Sequence, residues 1–134
     1  MNQEELVEGY LRYLEATQLR QGRALDKDIL SPAWAVDDLV NRDPDNGWRI
    51  TCILINRAPS DSTLAVVAAG PLEDLLQKHG PAIIDRVEEE SRKNDRLRLA
   101  LSGVWGIDPG NPIYERWYAL MWKYGFAEGK RAPL

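Results

Sequence analysis

Chemistry-bearing side chains are densest in Ala68-Ala69-Gly70-Pro71-Leu72-Glu73-Asp74-Leu75-Leu76-Gln77-Lys78-His79-Gly80. This segment holds two adjacent carboxylates and the chain's single histidine on an apolar-periodic background. Histidine titrates near neutrality, so Glu73 or Asp74 as base with His79 as proton carrier would suit a hydrolytic reaction. Neighbouring residues on a helix point about 100° apart, which weakens a mechanism needing both carboxylates on one atom. A capping reading competes with the catalytic one. Acids at a helix start are stabilised by the helix dipole, and histidine is an ordinary residue at a helix end.

Two other groupings carry potential chemistry. Asp85-Arg86-Val87-Glu88-Glu89-Glu90 places Asp85 and Glu89 on one helical face. It also offers Glu88–Arg92 and Glu89–Lys93 as opposite-charge pairs at i, i+4. The second grouping is aromatic: Tyr114, Trp117, Tyr118, Trp122, Tyr124 and Phe126 lie within thirteen residues. Ile113, Trp117, Leu120 and Tyr124 form one helical stripe, and Tyr114, Tyr118, Met121 and Trp122 an adjacent one. That is more apolar surface than a single core-facing stripe needs. Tyr118 and Trp122 are therefore candidate contacts for a partner or a second copy of the chain, since Trp and Tyr dominate binding hot spots. The sequence has no phosphate loop, no Gly-x-Ser-x-Gly elbow and no His-Glu-x-x-His. One histidine and one cysteine rule out histidine-rich and thiolate-rich metal sites, and no cofactor is expected.

The elements that must hold these groups read as helices. Ser31-Pro32, Asp43-Pro44 and Asn111-Pro112 each place a capping side chain before a proline, the chemistry of a helix start. Gly80-Pro81 reads as one helix stopping and the next starting. Apolar spacing predicts helices over about 3–19, 32–42 and 44–57. The segment containing Leu64 to His79 should kink or break at Gly70. Further helices are expected from Pro81 to about Lys93, from a cap at Asp95 through Trp105, and from Pro112 to Gly125. The expected fold is all-α: one compact domain of about seven helices over residues 1–126, with short antiparallel connections and a frayed tail at 127–134.

Composition bounds the rest. With 134 residues, 44% hydrophobic and 28% charged, the chain can bury a real core. Cys52, among Ile50, Ile53, Leu54 and Ile55, reads as a small buried apolar residue. The net charge is −4, and the excess is local: residues 1–45 hold ten acids and five bases. An acidic first third disfavours nucleic acid as a partner and suits a basic protein. A polar start and the lack of any long apolar run predict a cytoplasmic protein that engages no membrane.

The runs Trp48-Arg49, Arg57-Ala58-Pro59, Ala68-Ala69-Gly70-Pro71-Leu72-Glu73-Asp74-Leu75-Leu76, His79-Gly80, Ile84-Asp85-Arg86-Val87-Glu88 and Leu101-Ser102-Gly103-Val104-Trp105 resemble an uncharacterised bacterial family of small helical proteins. The resemblance spans roughly residues 34–105, leaving the first thirty residues and the aromatic last helix outside. It implies a bacterial, helical, soluble protein and brings no activity. The expectation is a protein-binding module using Glu73, Asp74, Tyr118 and Trp122, with an immunity, antitoxin or defence role as one form. The alternatives are a hydrolase-like enzyme using Glu73 or Asp74 with His79, and a homodimer or larger homo-oligomer built through the last helix.

Overall fold

The computed structural model describes residues 1–19 and 25–124. These form α1 (Gln3–Leu19), α2 (Lys27–Arg42), α3 (Pro44–Arg57), α4 (Asp61–Val67), a π-helical turn (Ala68–Leu72), α5 (Glu73–Ser91), α6 (Asp95–Leu101) and α7 (Tyr114–Lys123). There is no strand among the described residues, and the all-α expectation holds. The expected tail at 127–134 and the expected helix end at Gly125 lie outside the described residues. α3 and α5 run through the centre; the α1–α2 pair packs on one side of them, and α6 and α7 on the other. The core joins Leu54 and Ile55 of α3 to Leu72, Leu75, Leu76, Ile83, Ile84 and Val87 along the central helix. Leu97, Leu101 and Met121 close it from the far side. Cys52 sits at the margin of this core, half-buried rather than fully enclosed.

The helix starts follow local chemistry where a cap is available. Asn2 and Glu5 exchange bonds at the head of α1: Glu5 N–H donates to Asn2 Oδ1 (2.8 Å) and Asn2 N–H to Glu5 Oε1 (3.0 Å), a reciprocal capping box. Asp43 ends α2 and begins α3 at once. Its amide donates to Leu39 O, and its carboxylate accepts from Asn46 Nδ2 (2.7 Å) and Asn46 N–H (3.2 Å). Those bonds, the side-chain one foremost, hold the Asp43 carboxyl below the usual range. Pro44 then opens α3 as expected.

Two prolines behave differently from their sequence signals, while the stop-and-start expected at Gly80-Pro81 is met by a kink. α2 starts at Lys27, not at Pro32, because Asp26 caps it by accepting from Ile29 N–H (3.1 Å). Pro32 is therefore interior, where a proline forfeits one backbone bond and is costly by about 3 kcal/mol in isolation. Its ring is buried, and a Cβ on Gly9 would come within 2.7 Å of Pro32 Cγ, so α1 and α2 approach closely at this point. Nor does the helix break at Gly70-Pro71. It widens there into a π turn, in which Glu73 N–H reaches back to Ala68 O, so the chain passes the proline without losing its direction. The bend comes later, at His79 (φ −130°, ψ 26°), just before Gly80-Pro81. Pro81 lacks the amide that would have bonded to Gln77 O, and that carbonyl is taken instead by Asn111 Nδ2 (2.9 Å).

The last two helices are shorter than the apolar spacing suggests. Asn94, not Asp95, caps α6, with Oδ1 accepting from Arg96 N–H (3.0 Å) and Leu97 N–H (3.1 Å). That helix ends at Leu101, and Val104 and Ile107 join the core from a loop. α7 begins two residues after Pro112, following a turn in which Asn111 Oδ1 accepts from Ile113 N–H (3.0 Å).

Candidate functional site

The structure separates Glu73, Asp74 and His79. Glu73 faces the α6–α7 loop, where Oε1 accepts from Trp105 N–H (2.9 Å) and Gly106 N–H (3.0 Å). A Cβ on Gly106 would lie 2.6 Å from Glu73 Oε2, so glycine lets the loop backbone lie against the carboxylate. One helical turn on, Gln77 Oε1 accepts from Asp108 N–H (3.2 Å). His79 points the other way, donating through Nε2 to Asn41 O (3.0 Å), a carbonyl in the last turn of α2. Lys78 reinforces this contact by bonding to Asn41 Oδ1. Glu73 thus ties down a loop, and His79 ties the bend of α5 to α2.

Asp74 faces a third environment. It lies on the wall of a cavity of about 270 Å³ between α1, α2 and the π turn. Tyr10 and Tyr13 come from α1, Trp34 and Asp37 from α2, and Gly70 from the π turn; Val36, Val40 and Pro71 also line it. The two tyrosine rings are in contact, with centroids 5.7 Å apart at 49°. Trp34 is 56% exposed, while Tyr10 is only 6% exposed. Gly70 faces the phenol: a Cβ there would stand 3.8 Å from Tyr10 Oη, at ordinary contact distance. The π turn, which places Gly70 and Pro71 on the cavity wall, is an arrangement frequent at functional sites.

The electrostatics of this cavity are unbalanced. Neither Asp37 nor Asp74 forms an ion pair or accepts a side-chain hydrogen bond among the described residues. Burial pushes the Asp74 carboxyl above the usual carboxylate range. Lys78 pulls it back, and Asp37 and Glu73 push it further up. Burial also raises the Tyr10 phenol, helped by Tyr13, Asp74 and Asp37. Some acids elsewhere are matched. Asp85 and Glu88 both pair with Arg116 of α7, and Arg57 bonds both oxygens of Glu4. The 85–90 run is indeed a paired face, with different partners from the i, i+4 expectation: Arg92 meets Glu89 and Lys93 meets Glu90, each at i, i+3.

α7 presents the other candidate surface. Trp117, Leu120 and Met121 are buried, while Tyr118 and Trp122 are 39% and 50% exposed. Tyr114 stacks on Tyr118 (6.0 Å, 25°), and Tyr118 meets Trp122 edge-on (6.5 Å, 62°), giving an outward ridge of three rings at i, i+4, i+8. Asp74 and this ridge are separate places: the first faces α1 and α2, whereas α7 packs on the later part of α5 and receives Asp85 and Glu88 there. Among the described residues no three His, Cys, Asp or Glu side chains converge as a metal site requires. No helix among them is long and apolar enough to cross a membrane.

Asp74 was legible as a candidate in the sequence, but its companions were not. Asp37 registers there only in the charge balance, Tyr10 and Tyr13 only as an apolar stripe. Trp34 stands outside the α2 stripe of Val36, Leu39 and Val40, and that offset is the one local sign that its ring faces outward.

The chain belongs to a family of unknown function (DUF6869), whose model matches residues 23–124. The match runs from before α2 through α7, so it includes the aromatic helix that the sequence resemblance left out. It takes in Trp34, Asp37, Gly70 and Asp74 but not α1, which supplies the two cavity tyrosines. No curated protein and no solved structure matches the chain.

Proposed function

We propose that this chain is a protein-binding module whose binding site is the cavity between α1, α2 and the π turn. One observation carries the reading: two carboxylates without ion-pair partners among the described residues share that cavity with an outward-facing tryptophan. Unmatched charge of one sign in a concave site favours a partner of opposite sign and speeds its encounter. The partner in this reading is a basic protein, met in the bacterial cytoplasm, and an immunity or antitoxin role is the form that suits a small acidic module. Of the residues singled out in the sequence, Asp74 belongs to the contact surface. Glu73 and His79 already hold backbone groups of their own chain, which favours binding over the hydrolytic alternative.

The test is affinity capture with wild type beside Asp37→Asn/Asp74→Asn and Trp34→Ala, read by quantitative mass spectrometry. A basic protein retained by wild type, released by moderate salt and lost with both variants is the expected outcome. A partner retained equally by all three baits refutes this site. The Tyr114–Tyr118–Trp122 ridge supports self-association as a second reading. A dimer mass in solution that falls to monomer with Tyr118→Ala/Trp122→Ala is its signature.

A further inference from the structure

We infer that the cavity between α1, α2 and the π turn is a recognition site for one organic cation, the ammonium or guanidinium head of a lysine or arginine side chain. This deepens the binding reading above and rests on it for the source of the cation. Three independent features define the ligand's chemistry.

The first is charge. Asp37 and Asp74 face the cavity from two different helices, and no cation of the described chain forms an ion pair with either. Lys78, the one cation felt by Asp74, has its Nζ bonded to Asn41 Oδ1. The second is the aromatic lining: Tyr10, Tyr13 and Trp34 present π surface, and ring faces attract cations. The third is an available hydrogen-bond acceptor. Tyr10 is 6% exposed and lines the cavity, yet its hydroxyl has no hydrogen-bond partner among the described residues. The hydroxyl is not sealed from the cavity, so its lone pairs are free to accept a bond from an occupant. An ammonium or guanidinium N–H answers all three features: it donates to Tyr10 Oη and to the two carboxylates while its charge sits against the rings.

Size narrows the occupant. At about 270 Å³ the cavity lies below the roughly 300–1,000 Å³ of sites that enclose whole small molecules. That is room for a side-chain head with its stem leaving past exposed Trp34. An anion is repelled by both acids. A divalent metal would want more oxygen ligands than two carboxylates, and no third acid converges there among the described residues. Gly70 lies on the cavity wall opposite Tyr10 Oη, so a branched side chain there, extending beyond the Cβ contact of 3.8 Å, would crowd the space beside the phenol.

The experiment is a titration of the full chain followed by amide and indole NMR shifts. The probes are Nα-acetyl-arginine amide, Nα-acetyl-lysine amide, tetramethylammonium and, as the neutral control, Nα-acetyl-norleucine amide. The expected result is millimolar binding of the cations, about 4 kcal/mol for one isolated contact, with shifts confined to Tyr10, Tyr13, Trp34, Gly70 and Asp74. Asp37→Asn/Asp74→Asn should weaken it by at least tenfold, as should Gly70→Val, while Glu73→Ala leaves it unchanged. Circular dichroism confirms that each variant is folded, and because Asp37 is exposed, Asp37→Asn alone remains informative if Gly70→Val is not. Norleucine amide shifting the same residues as strongly as the cations overturns the inference. So does the absence of any cation-induced shift in wild type. Capture of a partner that depends on Trp34 without any response to free cations leaves the module reading standing and removes this one. A response to free cations with no protein captured keeps the site and makes its ligand a small amine.

Discussion

Replacing Glu73 by alanine decides whether that carboxylate holds the fold or a partner. Glu73 Oε1 accepts from two loop amides, Trp105 at 2.9 Å and Gly106 at 3.0 Å. Hydrogen bonds to a charged group contribute about 1.5–3 kcal/mol each when well shielded. These two share one oxygen at the surface, so the pair is taken at the low end, about 2 kcal/mol in all. With an unfolding entropy of about 2.1 cal/mol/K per residue over 134 residues, Glu73→Ala should lower Tm by about 7 °C. In urea, at about 1.5 kcal/mol/M, the midpoint should fall by about 1.3 M. Glu73→Gln keeps an acceptor oxygen and loses the charge, so it should fall by about half as much. Hydrogen exchange supplies the local readout: the amides of Trp105 and Gly106 should lose protection before the rest of the chain, because the loop is otherwise tied at Asp108 and Asn111 through Gln77. A Glu73→Ala midpoint within the roughly 0.5 kcal/mol of an ordinary surface substitution, with unchanged exchange at those amides, would refute the anchoring role and return Glu73 to the candidate contact surface.

Asp74→Asn should have the opposite sign. Burial holds the Asp74 carboxyl above its ordinary value, so its contribution to stability is full below the unfolded pKa near 3.9 and is lost as pH rises through the raised folded value. At neutral pH the asparagine variant should therefore be as stable as wild type or more so, by no more than about 1 kcal/mol after solvent screening. The two should converge at acid pH, as urea midpoints across pH 3–8 would show. Gly80→Ala should destabilise by about 1–3 kcal/mol, because a Cβ there overlaps Ile113 Cγ1 and Cγ2 where the bend of α5 meets the entry to α7. The Cys52 thiol, pushed up to about 12 by burial and then by Glu90, should be slow to alkylate. At pH 8 its thiolate fraction is about a thousandfold below that of a free cysteine, so iodoacetamide labelling under native conditions should lag labelling in urea by a comparable factor. Asn94→Ala removes an acceptor for two orphan amides of α6 and should lower stability by about 1 kcal/mol in thermal unfolding.

Local chemistry was legible in the sequence wherever a signal and its answer lie within one helical turn. Asp43-Pro44 marks the start of α3 because cap, proline and the capped amide of Asn46 are neighbours. The apolar spacing of α1 and α3 reads correctly because burial of one face is a property of the helix itself. Signals whose answer is remote were misread. Ser31-Pro32 looks like a start, yet Asp26 caps five residues earlier, and Pro32 sits in the helix interior with its ring on Gly9 of α1. Gly70-Pro71 looks like a kink or break, yet a π turn passes it. Gly80-Pro81 does bend the helix, but the carbonyl that Pro81 leaves free is claimed by Asn111, thirty-four residues from Gln77.

The candidate site divides along the same line. The sequence by itself determined that the chain is helical, acidic in its first third and rich in ionisable groups around residue 74. Adjacent in sequence, Glu73 and Asp74 diverge by about 100° on the helix surface, and only packing decides what each then meets. Glu73 meets the α6–α7 loop, and Asp74 meets Asp37 with three aromatic rings. Asp37 and Asp74 share a cavity because α2 and α5 lie against each other, a contact set by the burial of Val36, Val40 and Leu75 on faces that carry neither acid. Helix periodicity fixes which residues point inward, but the companions of the outward ones are chosen by how the helices pack.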